Sequence, residues 1–171
     1  MYKRSKYRGF SEALSRSDAL KIIRRIADFQ FSDGAGEILF PNEVKIVFST
    51  TGKPRQMLLN DRRVATLRPK DGFLTLGILG AESLRRNFSY PRFRVCMMND
   101  VSEFIAEGRN LFAKHVVEVD ERIRAGDEVI VVNKEDEILG TGKAILSGNE
   151  MLLFERGIAV KIRHGNEASE D

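Results

Sequence analysis

The sequence of 171 residues contains no tryptophan, one cysteine and two histidines. The single thiol, Cys96, excludes an intrachain disulfide and any zinc site with several cysteine ligands. Because the chain has so few metal-binding side chains, we expect no metal ion and no other cofactor. A glycine-rich nucleotide loop of the Walker type is also missing from the sequence.

Long apolar segments are missing as well. The longest run without a charged residue spans ten residues, 72–81, whereas a transmembrane helix needs about 20. The basic stretch at residues 1–10 is not followed by an apolar segment, so it does not have the form of a secretory signal. These absences predict a cytoplasmic protein with no membrane span.

Charge is distributed unevenly along the chain. Residues 1–92 contain 18 lysines and arginines against 9 acidic residues, a net charge of +9. Residues 93–171 contain 10 against 16, a net charge of −6. A basic half of this kind favours encounter with a polyanion such as a nucleic acid.

Apolar periodicity and turn signals predict two domains. The first is an α+β domain with a helix on an antiparallel sheet, and the second is a small, mostly-β pseudo-barrel. The predicted segments are a flexible basic arm (1–16), the α+β domain (17–91), the pseudo-barrel (92–165) and an acidic tail (166–171). The arm is either a nucleic-acid contact or a tail without a role.

In the first domain, the periodicity predicts a helix with Ser17 as its N-cap that ends near Phe29. A loop at 32–36, about four strands and a short helix at 81–87 follow. In the second domain we expect short strands around one helix, which Gly108 ends in the left-handed conformation. Alternation along the strand after Gly108 predicts that Phe112 and Val116 face the core.

Several segments of the second half resemble PUA domains, a family of pseudo-barrels that bind structured RNA. The segment 108–116 is similar to the glycine-containing segment of that family, and 124–129 is similar to its R-x-G-D-E-V turn. Segments 139–144 and 156–161 resemble its closing strands. The resemblance implies a PUA fold and an RNA ligand.

The first half resembles the domain that precedes PUA in archaeal archaeosine tRNA-guanine transglycosylase. The matching segments are 29–31, 34–35, 39–41, 65–68, 71–72 and 80–81. In that family the two C-terminal domains hold tRNA, and a separate barrel with aspartates and a cysteine-rich zinc site performs the chemistry. The resemblance therefore implies a non-catalytic tRNA-binding subunit or accessory that works with a separate catalytic transglycosylase subunit.

Six residues of the second domain are candidates for RNA binding. Gly108 would let a phosphate approach backbone N–H groups at the helix end, and Asn110 offers a donor and an acceptor to a base edge or a 2′-OH. The cationic candidates are Arg109, Lys114, Lys161 and Arg163. As alternatives, Gly108 is only a helix cap, Asn110 only closes a turn and the cations are only solvated.

The first domain supplies further candidates for phosphate contacts that do not depend on RNA sequence. They are Lys53, Arg55, Arg62, Arg63, Arg85 and Arg86, and an ordinary solvated surface is the alternative for each. Lys21, Arg24 and Arg25 are assigned to ordinary helix surface.

Two other functions stay open at the level of the sequence. The acidic second half could dock a basic protein, which would make the chain an assembly subunit, and a homo-oligomer is compatible with the sequence. A small enzyme is disfavoured, because Asp127 and Glu128 lie on adjacent faces of a turn. His115 and His164 have no visible nucleophile beside them.

Overall fold

A computed structural model describes residues 14–167, so residues 1–13 of the predicted arm (1–16) lie outside the described residues. The first helix, α1, spans Arg16–Gln30. Its N-cap is Ser15, whose hydroxyl accepts the Asp18 N–H at 3.1 Å. The prediction of Ser17 as the cap, with the arm reaching residue 16, is therefore wrong. The Ser15 hydroxyl also bonds the carboxylate of Asp18, three positions later, at 2.7 Å. Ser17 has no acidic residue three positions later that could bond its hydroxyl in the same way.

The rest of the first domain is a four-stranded antiparallel sheet with helices on it. Its strands follow one another in the order β1-β2-β3-β4. The elements are α2 (Ala35–Leu39), β1 (Lys45–Phe48), β2 (Pro54–Leu59), β3 (Arg62–Leu67), β4 (Leu74–Leu76) and α3 (Ile78–Asn87).

Helix α2 occupies part of the segment for which a loop was predicted. Gly34 enters it with φ +87°, a conformation that glycine adopts without strain. Gly36 lets it approach α1, because a Cβ there would collide with the Arg24 carbonyl oxygen. The glycines that indicated a loop in fact make this close helix contact possible.

The second domain is a six-stranded sheet that curls into a nearly closed barrel, as predicted. Its order is β6-β10-β9-β8-β5-β7, with β5 and β8 parallel and the other pairs antiparallel. The elements are β5 (Arg94–Met97), α4 (Ser102–Ala106), β6 (Leu111–Phe112), β7 (Val116–Val119), β8 (Glu128–Val132), β9 (Ile138–Ala144), α5 (Gly148–Leu153) and β10 (Ile158–Gly165).

The prediction that Phe112 lies in the core is wrong, since the side chain is 46% exposed. Strand β6 has only two residues, and its inward residue is Leu111, which is fully buried. A 3-10 turn at Ala113–His115 then interrupts the alternation. Val116 is buried as predicted and is the first residue of β7 after this turn.

The two domains share an apolar core. One cluster of buried side chains joins the first-domain residues Ile23, Leu76 and Leu84 to Phe93 and Ile130 of the second domain. A second cluster fills the barrel itself. Residue 91 therefore separates the two domains in the sequence, while their buried side chains pack against each other in one cluster.

Buried polar contacts also join the two domains. We call this shared surface the domain junction; Arg92, Arg94 and Glu128 each bond to the backbone of the first domain there. Arg94 is 1% exposed and donates to the carbonyl oxygens of Arg85 at 2.6 Å and Phe88 at 3.2 Å. Its Nε lies 2.9 Å from an Asp136 oxygen. Burial lowers the pKa of Arg94, so these partners are needed to hold its charge in the interior.

Residues 166 and 167 of the predicted tail are bonded to the barrel, while residues 168–171 of the tail lie outside the described residues. Asn166 donates its backbone N–H to Leu139 and its side-chain amide to Ile138, and the Glu167 N–H donates to Ala106. These bonds attach the chain to the barrel beyond β10. None of the helices within 14–167 has both the length and the apolar character to span a bilayer.

Candidate nucleic-acid interface

A groove of about 360 Å³ lies between α4, β6 and the 3-10 turn that follows β6. We call it the α4–β6 groove. It is lined by three of the predicted RNA-binding residues, Arg109, Asn110 and Lys114. The exposed rings of Phe104 and Phe112 line it as well. The second-domain candidates on β10 do not line it.

Gly108 lies between α4 and Arg109, the first residue of the following loop that lines the groove. It has φ +93°, and a Cβ built there would meet nothing within 4 Å. Its own N–H donates to Ile105 at 2.8 Å, and the Arg109 N–H donates to Phe104 at 2.9 Å. Both amides are therefore engaged in ending α4, so they do not offer the open N–H groups that we expected a phosphate to approach. What Gly108 provides is the left-handed turn and unobstructed space.

Arg109 is presented to solvent by an aromatic ring. Its guanidinium carbon lies 5.0 Å from the centre of the Phe104 ring, and its side chain is 67% exposed. Glu107 lies 3.6 Å from Arg109 Nε, a solvent-exposed pair of small energetic value. Lys114, in the 3-10 turn, is exposed on the same groove. Two cations thus face solvent beside two exposed phenylalanines.

Asn110 has a structural contact that limits its availability. Its side-chain oxygen accepts the Ile162 N–H at 3.2 Å, which ties the loop before β6 to β10. This contact matches the alternative in which Asn110 closes the turn.

The predicted basic edge on β10 is divided between two roles. Lys161 is exposed and lies opposite Lys143 on β9. Arg163 instead lies with its Nε 3.3 Å from Glu128 at the domain junction. The Glu128 carboxyl also accepts the Leu76 N–H of the first domain at 3.1 Å. Burial raises the pKa of Glu128 to about 7 despite these partners. The ion pair with Arg163 therefore offsets part of the cost of burying the carboxylate.

The six candidates of the first domain do not form one patch. Lys53 and Arg55 are exposed at the start of β2, and Arg62 is exposed at the start of β3. Leu59 pairs with Arg62 in the register of these strands, so the two groups lie at opposite ends of the hairpin. Arg86 is exposed, while Arg63 is half-buried and already has a contact.

Arg85 is part of the domain junction rather than an open surface. Its Nη1 lies 3.1 Å from the Asp136 backbone oxygen and 3.5 Å from an Asp136 carboxylate oxygen. Together with Arg94, it holds the turn between β8 and β9.

Arg24, which is predicted to be ordinary helix surface, also has an internal partner. Its side chain donates to the Phe40 carbonyl oxygen at 2.8 Å, so it attaches α1 to the end of α2.

Sequence reasoning missed the two exposed phenylalanines of the α4–β6 groove. Phe112 is predicted to lie in the core and Phe104 is not among the predicted binding residues, yet each is 46% exposed. Helix α4 has only five residues, so a single turn buries Ile105 while Phe104 points away. The short length of α4 and β6 is the feature that a periodicity argument could not resolve.

Comparisons with known proteins match both halves of the chain. Residues 21–91 match the patch-forming domain C2 of tRNA-guanine transglycosylase, and residues 93–165 match the PUA domain. The chain is therefore a C2-type domain followed by a PUA domain. The predicted resemblance is confirmed, and the groove described above belongs to the PUA part.

Two curated relatives carry both domains at high similarity. The tRNA-guanine(15) transglycosylase of Pyrococcus furiosus is 47% identical over 156 residues, and that of Pyrococcus abyssi is 45% identical over 154 residues. These alignments cover 91% and 90% of this chain but only 26% of each relative. The chain thus spans about a quarter of the length of these relatives and corresponds to their C-terminal part.

A solved structure supports the same fold. A hypothetical protein from Pyrococcus horikoshii superimposes with a TM-score of 0.72 and 22% identity, and the match covers 91% of this chain and 94% of the other. At this level of identity the likeness concerns the fold. The shared fold extends over both halves of this chain.

Proposed function

We propose that this protein binds tRNA through the α4–β6 groove and serves tRNA base modification without a catalytic centre of its own. The observation that carries the proposal is the pairing of Arg109 on the Phe104 ring with the exposed Lys114 in one groove of a PUA domain. The similarity to tRNA-guanine(15) transglycosylases supports tRNA as the RNA. The cytoplasm would be its place of action.

The groove suits a structured RNA for physical reasons. A-form RNA hides its base edges in a deep, narrow groove, so a protein recognises its backbone, its 2′-hydroxyls and its unpaired nucleotides. Arg109 and Lys114 can each contact a phosphate, and the exposed rings of Phe104 and Phe112 can contact an unstacked base. The net charge of +9 on residues 1–92 would raise the rate of encounter with RNA.

A separate catalytic subunit belongs to the same proposal. The relatives are about four times as long as the region they share with this chain, so their remaining part is where their chemistry would be expected. In this proposal the chain holds the tRNA, and a separate transglycosylase subunit exchanges the base.

A gel shift with total tRNA over a series of salt concentrations tests this function. We expect binding whose affinity falls with salt, with a log–log slope of about −0.7 to −0.9 for each phosphate contact. A fully paired RNA duplex and a single-stranded DNA of equal length serve as controls and should bind more weakly. Absence of tRNA binding at low salt would contradict the proposal.

A protein-docking function is the second candidate, and one observation favours it. The end of α5 exposes three consecutive apolar side chains, Leu152, Leu153 and Phe154, with Leu153 76% exposed. A surface of this kind is typical of a protein contact. Co-purification of a partner protein that is lost on Leu153→Asp substitution, in a chain that does not bind tRNA, would support this alternative.

A further inference from the structure

The Phe29-Gln30-Phe31 segment at the end of α1 contains one residue that the fold does not explain. The Gln30 amide exchanges two hydrogen bonds with the Leu74 backbone, at 2.8 and 2.7 Å. Phe31 is buried and packs edge-on against Phe93 at 5.6 Å. Phe29, in contrast, is 83% exposed, although exposing a large aromatic side chain to water is unfavourable.

Phe29 forms an aromatic surface with Phe73. The two ring centres are 6.4 Å apart, and the ring planes differ by 11°. Asp71 fixes the turn that carries Phe73, because it accepts the Phe73 N–H at 3.1 Å and pairs with Arg68 at 2.9 Å. We call these two rings the Phe29–Phe73 platform.

Both rings of the platform line a cavity of about 210 Å³, and residues 126–128 of the PUA domain line it as well. Gln30, Asp127 and Glu128 also line a second cavity, of about 340 Å³, along the domain junction. The two cavities together make an open cleft between the domains, separate from the residues that line the α4–β6 groove.

Guanidinium groups border this cleft and are not all neutralised. Arg92 and Arg122 share a single carboxylate, Asp120, at 2.9 and 3.4 Å. The Arg124 side chain is exposed and makes no ion pair or hydrogen bond within residues 14–167. The cleft therefore offers a cation for a phosphate beside a surface for an aromatic ring.

We propose that this cleft binds one unpaired nucleotide of the RNA, with its base on the Phe29–Phe73 platform and its phosphate at Arg124 and Arg122. Single-stranded nucleic acid is held by this combination of stacking surface and cations. The Asp127 carboxylate, at the rim, can accept a hydrogen bond from an amino group of the base. The inference rests on the proposed function, because it adds a second contact to the same RNA.

Phe29→Trp provides a direct test, since the chain has no other tryptophan. Titration with total tRNA should quench most of the emission of this variant, whereas a fully paired RNA duplex should have little effect. Ile22→Trp is the matched control, because Ile22 is 42% exposed two turns earlier on α1 and lines neither cavity. Its emission should stay unchanged.

Phe29→Ala should weaken tRNA binding on the order of tenfold, the loss typical of removing one stacked base contact, and Ile22→Ala should not. Unchanged emission of Phe29→Trp in a protein that binds tRNA would overturn the inference, while the proposed function would stand. Equal quenching of both tryptophans would overturn it as well. If the unaltered protein bound no tRNA in the gel shift, both proposals would fail.

Discussion

Arginine side chains perform different tasks at the domain junction and in the α4–β6 groove. At the junction, Arg94 is 1% exposed and is surrounded by carbonyl oxygens and Asp136. In the groove, Arg109 is 67% exposed and lies over the Phe104 ring. A guanidinium with internal partners stabilises the fold, while one that faces solvent is available to a ligand. Net charge alone therefore overstates the surface that can meet RNA.

The largest effect should come from Arg94→Met at the junction. This change removes the buried guanidinium from the Arg85 and Phe88 carbonyl oxygens and leaves Arg85 as the remaining cation beside Asp136. Breaking a buried, paired charge in this way typically costs about 3–5 kcal/mol of the free energy of unfolding. Chemical denaturation with circular dichroism measures it. A loss below about 1 kcal/mol would contradict the structural role of Arg94.

A pH-dependent effect of nearly the same size should come from Glu128. Burial raises its pKa from 4.5 to about 7 in the folded protein, so the native state binds more protons than the unfolded chain between these values. Its contribution to stability is complete below pH 4.5 and is lost as the pH rises through about 7.

Glu128→Gln keeps an acceptor for the Leu76 N–H and removes the titration. We expect the stability of the unaltered protein, relative to this variant, to fall by about 3 kcal/mol between these pH limits. Denaturation curves of both proteins across the range provide the measurement. Parallel stability profiles would show that the carboxyl does not titrate there.

A smaller effect should come from Gly108→Ala in the turn after α4. The backbone has φ +93° and open space around it, so the cost is conformational and about 1 kcal/mol. A thermal melt measures it. No loss of stability would mean that the helix end adopts another conformation.

The smallest effect on folding should come from Arg109→Met. Its partner Glu107 is 56% exposed, and exposed ion pairs contribute about 0–1 kcal/mol. The melting temperature should therefore stay close to that of the unaltered protein. A large destabilisation would remove the distinction between the groove and the junction.

The order and type of most elements could be predicted from sequence, because apolar periodicity and turn residues are local properties. The exact start of α1, the helix α2 and the exposure of Phe112 could not, since they depend on a side-chain cap, on a close approach between helices and on a 3-10 turn.

The candidate site was predicted only in part for a related reason. A sequence shows that Arg85, Arg109 and Arg163 are cations, but not that Asp136 and Glu128 lie beside the first and the last of them. The Phe29–Phe73 platform joins residues 44 positions apart, and only the folded chain brings them together.

The most direct test of the groove compares two double variants that change charge equally. Arg109→Glu with Lys114→Glu alters the α4–β6 groove, while Lys21→Glu with Arg25→Glu alters the exposed side of α1. In tRNA titrations over a salt series, we expect the groove variant to lose affinity and its log–log salt slope to shrink by about 1.4 to 1.8, the value for two lost phosphate contacts. The α1 variant should keep its slope, and equal behaviour of the two variants would contradict the assignment of the groove as the tRNA-binding surface.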